Sequence, residues 1–214
     1  MFRNPRALIV LGLCAALGVV SCSAEKTESG TPVAKLCESS LNPPAGRALV
    51  KLTGGGGFRE VKGASFASAA AETRYRAEVS SRHATACAIK GSEGGDPLVS
   101  IDFRRVVVEP GRAKWKLSPG SIAYRMAERN MAGPGGAALV FRCTRESDKG
   151  LDPFLEGNLR VRPTDANVKL GDRERGEAAM AILHSVSLAM AKHLGCLEES
   201  GIPAKLPPPA SPTA

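Results

Sequence analysis

Between residues 85 and 162 of this 214-residue chain the apolar residues recur at every second position, whereas on either side they recur every three to four. Val99, Ile101 and Phe103 alternate with Ser100, Asp102 and Arg104; Ile122, Tyr124 and Met126 alternate with Ala123, Arg125 and Ala127. Leu139, Phe141 and Cys143 alternate with Val140, Arg142 and Thr144, Leu159 and Val161 with Arg160 and Arg162, and a shorter strand fits Thr85, Cys87 and Ile89. A period of two puts one face of each strand on a core. The connections are short and rich in Gly and Pro, which predicts an antiparallel meander of four or five strands. Such a sheet cannot bury its apolar face alone. Helices must cover it, giving an α+β open-faced sandwich.

About three helices are available for that task. Leu36 to Thr53 carries Leu41, Ala45, Ala48, Leu49 and Leu52 at helical spacing, with Pro43 and Pro44 in its first turn and Gly54 to Gly57 ending it. Ser65 to Arg82 is Ala-rich with alternating charge, including Glu72 four residues before Arg76. The strongest runs from Asp172, read as the N-cap, to Leu194, with Gly195 where a left-handed residue belongs. Its apolar stripe is Ala179, Ile182, Leu183, Val186, Ala189, Met190 and Leu194.

The N-terminus carries an address. Arg3 and Arg6 precede an unbroken apolar stretch, Ala7 to Val20, that is 14 residues long. A bilayer-spanning helix needs about 20 such residues, so this one suits an export signal. Val19-Val20-Ser21-Cys22 follows, small residues before a cysteine, in the pattern of the bacterial lipobox. There the cysteine sulfur receives a diacylglycerol and the residue becomes the new N-terminus. This predicts a lipoprotein signal peptide at 1–21 and an acylated, palmitate-type anchor at Cys22, with the chain on the outer face of the cell membrane. Residues 22–35 are polar and without periodicity, a flexible tether. Residues 36–202 form one domain, and 203–214, with Pro203, Pro207, Pro208, Pro209 and Pro212, form a tail that cannot pack as helix or central strand.

Of six cysteines, Cys14 leaves with the signal and Cys22 is lipidated, so Cys37, Cys87, Cys143 and Cys196 remain. Four thiols in an oxidising compartment favour two disulfides. Cys87 is in step with Thr85 and Ile89, and Cys143 with Leu139 and Phe141, so both strand cysteines point at the helical layer. Cys37 opens the first helix and Cys196 closes the last. Strand-to-helix bridges Cys37–Cys87 and Cys143–Cys196 are therefore the expected pairs. A zinc site built from His83, Cys87, His193 and Cys196 is the rival, but it leaves Cys37 and Cys143 without a role.

Catalytic signatures are missing. There is no H-E-x-x-H, G-x-S-x-G, Walker A or strand-following G-x-G-x-x-G motif. Gly63-Ala64-Ser65-Phe66-Ala67 stops one residue short of a nucleophile elbow, and Ser65 reads as an N-cap; Ser23-Ala-Glu-Lys26 sits in the tether. His184, beside Leu183, reads as a histidine at the edge of the core. No catalytic residue, metal or cofactor is indicated.

The lipobox at Cys22, Leu36-Cys37 before an Ala/Leu helix, Cys87, Leu139-Val-Phe-Arg-Cys143 and the closing Leu183-His-Ser-Val-Ser-Leu-Ala-Met-Ala-Lys-His-Leu-Gly-Cys196 together resemble small exported lipoproteins of actinobacteria such as Streptomyces. The resemblance extends over nearly the whole chain. It implies an envelope location and disulfides, and it carries no functional residues across.

Function is narrowed mainly by charge. The formal net charge is +8, and 43% of residues are hydrophobic, which excludes a wholly disordered or collagen-like chain. With apolar residues turned inward, Arg104, Arg125, Arg142, Arg160 and Arg162 fall on the uncovered face of the sheet. Such a face suits an anionic envelope polymer, lipid headgroups or an acidic protein. The alternative is that neighbouring acids such as Asp102 and Glu128 balance it. Nucleic acid is excluded as partner by the predicted location. The expected function is a non-enzymatic binding or interaction module; the alternatives are a cell-wall hydrolase or transferase using His83 or His184, and a carrier of an apolar ligand between sheet and helices.

Overall fold

A computed structural model describes residues 30–74, 84–108, 119–144 and 153–210. Residues 1–29 with the lipobox and Cys22, His83, the stretch 75–82 of the second expected helix and the last four residues lie outside the described residues.

The chain is mixed α+β. Seven strands, β1 (Phe58–Glu60), β2 (Ala84–Gly91), β3 (Gly94–Val106), β4 (Ile122–Ala123), β5 (Arg129–Gly133), β6 (Gly136–Arg142) and β7 (Phe154–Val161), form one sheet. Their order is β1-β2-β3-β7-β6-β5-β4. Every neighbouring pair is antiparallel. This corrects the single meander of four or five strands. The sheet is two meanders, β1 to β3 and β4 to β7, joined where β3 pairs with β7 from Val99↔Val161 to Val106↔Phe154. The additional strands, β1 and β5, carry no alternating apolar run. Arg129-Asn130-Met131-Ala132-Gly133 contains a single large apolar residue, and its strand form comes from pairing with β6.

Among the described residues four α-helical segments accompany the sheet: α1 (Leu36–Ser39), α2 (Pro43–Thr53), α3 (Phe66–Glu72) and α4 (Asp172–Leu194). The expected helix from Leu36 starts only at Pro43. Asn42, preceding two prolines, is extended, as a residue before proline must be, and its Oδ1 accepts the amide of Ala45 at 3.0 Å. Ahead of it, α1 is a left-handed turn, with φ of 52° at Cys37, 54° at Glu38 and 62° at Ser39. Each such non-glycine residue costs roughly 1–2 kcal/mol. Tertiary bonds hold it: the Cys37 amide donates to Glu60, and Glu38 Oε1 accepts from the Phe66 amide at 2.8 Å. Ser65 caps α3, its Oγ accepting from the Ser68 amide at 3.1 Å. The N-cap of α4 is Gly171 rather than Asp172, which instead binds Arg175 at 2.5 Å, while Gly195 closes the helix with φ 77°.

Both disulfides are formed in the expected pairs. Cys37 joins Cys87 and Cys143 joins Cys196, with Cα–Cα separations of 5.2 and 5.1 Å. Cys87 faces the helical layer as its place in the strand predicts, whereas Thr85 does not. A bulge between them places Thr85 opposite Asp102 and Cys87 opposite Ile101, so the two face opposite ways.

The core lies between the inner sheet face and α4. Ile101, Phe103, Leu139, Phe141, Leu155 and Leu159 meet Ile182, Leu183, Val186 and Met190, all at most 1% exposed. Phe103 and Phe141 pack edge to face at 6.3 Å. Burying each such side chain contributes roughly 1.5–3 kcal/mol. Arg105, in phase with Phe103, is buried on this face, its Nε donating to the Thr73 carbonyl at 2.6 Å and Nη1 to that of Cys143 at 3.4 Å. Packing continues beyond residue 202. Ile202 is buried, the Ala210 amide donates to the Ala123 carbonyl at 2.8 Å, and Tyr124 bridges Pro209, so the proline-rich segment lines the edge strand β4. Among the described residues no helix is long and apolar enough to cross a membrane.

Candidate ligand-binding face

The register of β3, β7 and β6 fixes which side chains share the outer face. Ser100 stands opposite Arg160, Asp102 opposite Asn158, and Arg104 opposite Glu156; Ala138 and Val140 of β6 complete the rows. Polar residues alternate here because the intervening positions are the inward-facing core.

Of the five arginines expected on this face, four are placed there and each meets a carboxylate. Arg104 reaches Glu156 at 2.6 Å, Arg160 reaches Asp102 at 2.5 Å, Arg162 reaches Asp96 at 3.4 Å and Arg142 reaches Glu128 at 3.9 Å. The guanidinium of Arg142 also lies 4.8 Å over the Phe154 ring. Arg125 is elsewhere: β4 ends at Ala123, the chain bends at 125–128 with Ala127 at φ 49°, and Arg125 is exposed in that bend. The face is thus patterned in pairs rather than uniformly positive. The pairs of Arg142 and Arg162 are exposed on both sides and hold little energy. Those of Arg104 and Arg160 cover carboxylates whose side chains are 9% and 2% exposed.

Arg160 occupies a distinctive place. Its side chain is 63% exposed and separates two depressions. The larger, about 780 Å³, opens where β1 ends and the remainder of β2 is flanked by the 61–72 segment; Lys62, Ser68, Glu72, Thr85, Ser100 and Arg160 supply its polar groups. The smaller, about 330 Å³, is floored by Gly136, Ala138, Glu156 and Asn158. Small residues in the floor allow a ligand to approach the backbone, and a guanidinium fork with flanking hydroxyls suits a carboxylate or phosphate.

The histidines within the described residues are engaged elsewhere. His184 is buried on α4, with Nε2 2.8 Å from the Pro203 carbonyl, and burial holds its pKa below the usual value against the opposing effect of that bond. His193 packs edge-on to Phe66 at 5.9 Å. Both cysteines of the zinc alternative, Cys87 and Cys196, are in disulfides, and His83 is outside the described residues. Each disulfide does sit beside a carboxylate, Glu60 and Glu199, which accept the amides of Cys37 and Thr144. Burial, reinforced by the negative charge of Glu177, pushes the Tyr124 phenol far above its ordinary range.

Sequence reasoning missed Thr85, Ser100, Asn158 and Glu156 as parts of this face. The signal was present for three of them, since Ser100, Asn158 and Glu156 share phase with the arginines; Thr85 was concealed by the bulge. Compared with protein-family models, curated protein sequences and solved structures, the chain has no match.

Proposed function

We propose that this chain is a membrane-tethered extracytoplasmic lipoprotein, acylated at Cys22, that acts as a non-enzymatic binding module for an anionic polymer of the cell envelope. We read its fold as an open-faced sandwich whose bare face is the recognition surface. The exposed guanidinium of Arg160 between two depressions, over carboxylates already covered by arginine, is the observation that carries this reading. The two disulfides suit an oxidising compartment, and the lipobox and the likeness to actinobacterial lipoproteins suit an envelope location.

Two measurements test it. Acyl labelling in cells should mark the wild type and not Cys22→Ala; equal labelling of both removes the anchor. Co-sedimentation with purified anionic wall polymer should weaken severalfold as salt rises past about 0.1 M, where the Debye length is roughly 10 Å. Lys62→Gln/Arg160→Gln should bind far less at low salt. Equal binding by wild type and variant discards the proposed face.

A further inference from the structure

A second surface lies apart from the sheet face. The 3₁₀ turn Val33–Lys35 packs beside α2, and between them runs a groove of about 490 Å³ whose lining includes Val33, Ala34, Pro43, Gly46, Arg47 and Val50. Its walls are almost wholly apolar. Val50 is 41% exposed, unusual for a large apolar side chain in this protein, and Ala34 and Pro43 are exposed as well. Close contact between Val33 and Gly46 keeps the two elements together, since a Cβ on Gly46 would come 3.0 Å from Val33 Cγ1.

The charged group that lines this groove is a cation. Arg47 is its charged lining residue, and Lys35 is exposed on the adjoining turn, while no described lining residue is acidic. Lys51, one turn beyond, is held by Glu174 at 2.6 Å. An apolar strip with cations at its rim is the arrangement by which a surface element settles into the boundary between headgroups and acyl chains.

Position adds a separate argument. The groove begins three residues after Gly30, and only eight peptide steps separate Gly30 from Cys22. Even fully extended, these steps span about 28 Å at roughly 3.5 Å each. The domain itself, at about 180 residues, is some 40 Å across by the usual scaling of compact chains. A tether that short keeps the entry point of the domain, and the groove beside it, closer to the anchor than the rest of the molecule.

We infer that the groove between Val33–Lys35 and α2 is a membrane-seating face, docking on a bilayer rich in anionic lipid. The inference rests on the proposed anchoring at Cys22. It gives that anchor an orientation: the α2 face sits in the interface. Arg47 and Lys35 meet the headgroups, and Val33, Ala34 and Val50 enter the upper acyl region.

The test places the full-length protein, purified from membranes, in vesicles of phosphatidylglycerol and phosphatidylcholine carrying lipid brominated near the top of the acyl chain. A single tryptophan reporter replaces Val50 or, as control, Leu197 beyond the far end of α4, in a Trp115→Phe background. Emission from Val50→Trp should fall about twofold, as expected for a side chain buried some 5–10 Å into the interface, with little change at Leu197→Trp. Adding Arg47→Glu should reduce the quenching, more in phosphatidylglycerol-rich vesicles than in phosphatidylcholine alone. Equal quenching at both positions, or none at Val50→Trp, overturns the inference, and a concentration-dependent dimer with an unquenched Val50→Trp would assign the groove to a second copy. Loss of acyl label at Cys22 is read separately and bears on the anchor, because the quenching ratio reports orientation whatever holds the protein on the vesicle.

Discussion

Asp102 of β3 gives one carboxylate oxygen to Arg160 of β7 at 2.5 Å and the other to Thr85 of β2 at 2.8 Å, so one buried acid ties three adjacent strands. The partners differ in exposure, 2% for the Asp102 side chain against 63% for Arg160, and truncation should therefore be asymmetric. Arg160→Ala strands a buried carboxylate on a single hydroxyl and should cost about 1–3 kcal/mol. Asp102→Asn keeps an acceptor for Thr85 and leaves Arg160 to water, so the loss should be smaller. Urea unfolding midpoints measure both; the reverse order would refute the account.

Gly157 of β7 faces the helix, and a Cβ there would lie 2.8 Å from Phe103 Cε1, 3.1 Å from Ser187 Oγ and 3.2 Å from Leu183 Cδ1. The close approach of β7 to α4 depends on that missing methyl group. Gly157→Ala should lower stability by about 1–3 kcal/mol through overpacking. Adding Phe103→Leu should restore part of the loss, whereas strictly additive losses in thermal unfolding would show that the crowding is not shared.

What the sequence revealed and concealed follows from the range of the interactions. The closing helix and its Gly195 cap are local properties of an apolar period and were legible to the residue at the C-terminal end, while the N-cap fell one residue earlier, at Gly171. The disulfides were legible because Cys87 and Cys143 inherit their direction from strand phase. By contrast β1 and β5 exist because β2 and β6 offer them a ladder, and no local pattern announces them. The binding face was half legible. Phase placed Arg104, Arg142, Arg160 and Arg162 together, but which acid covers each depends on the register of β3 against β7, a tertiary quantity.

Removing the bridges should separate their effects. They close loops of 50 and 53 residues, so each is worth about 4 kcal/mol in the chain-entropy account. Cys143→Ala/Cys196→Ala should lose about that much. Cys37→Ala/Cys87→Ala should lose less, because the left-handed turn at Cys37 to Ser39 is then free to relax. Denaturant unfolding of the two double variants compares them directly, and a larger loss from the Cys37–Cys87 pair would show that the turn carries no strain.

His184 makes stability sensitive to acid. Burial lowers its pKa in the folded chain, so below about pH 6.5 the unfolded chain binds the extra proton first. The contribution is complete above that value and is lost as pH falls toward the depressed folded pKa. His184→Gln, which can still donate to Pro203, should flatten this part of the profile. An unchanged slope between neutral and mildly acidic pH would assign it to other groups.

The docked tail offers the last prediction. Pro203 accepts from His184, Pro209 pairs with Tyr124 through the backbone, and Ala210 donates to the Ala123 carbonyl, so residues 203–210 lie against a buried imidazole and along the backbone of Tyr124, whose side chain is buried. Deleting residues 203–214 should admit water to both sites. Desolvation is the main reason the Tyr124 phenol titrates far above the ordinary value, so its titration should move down toward about 10. The acid-sensitive component from His184 should shrink in the same variant, since lifting burial brings its folded and unfolded pKa values together. Absorbance titration in a Tyr75→Phe background reads the phenol alone, as the chain has two tyrosines. A folded, truncated protein in which Tyr124 still resists ionisation would show that the sheet and α4, and not the tail, exclude water from it.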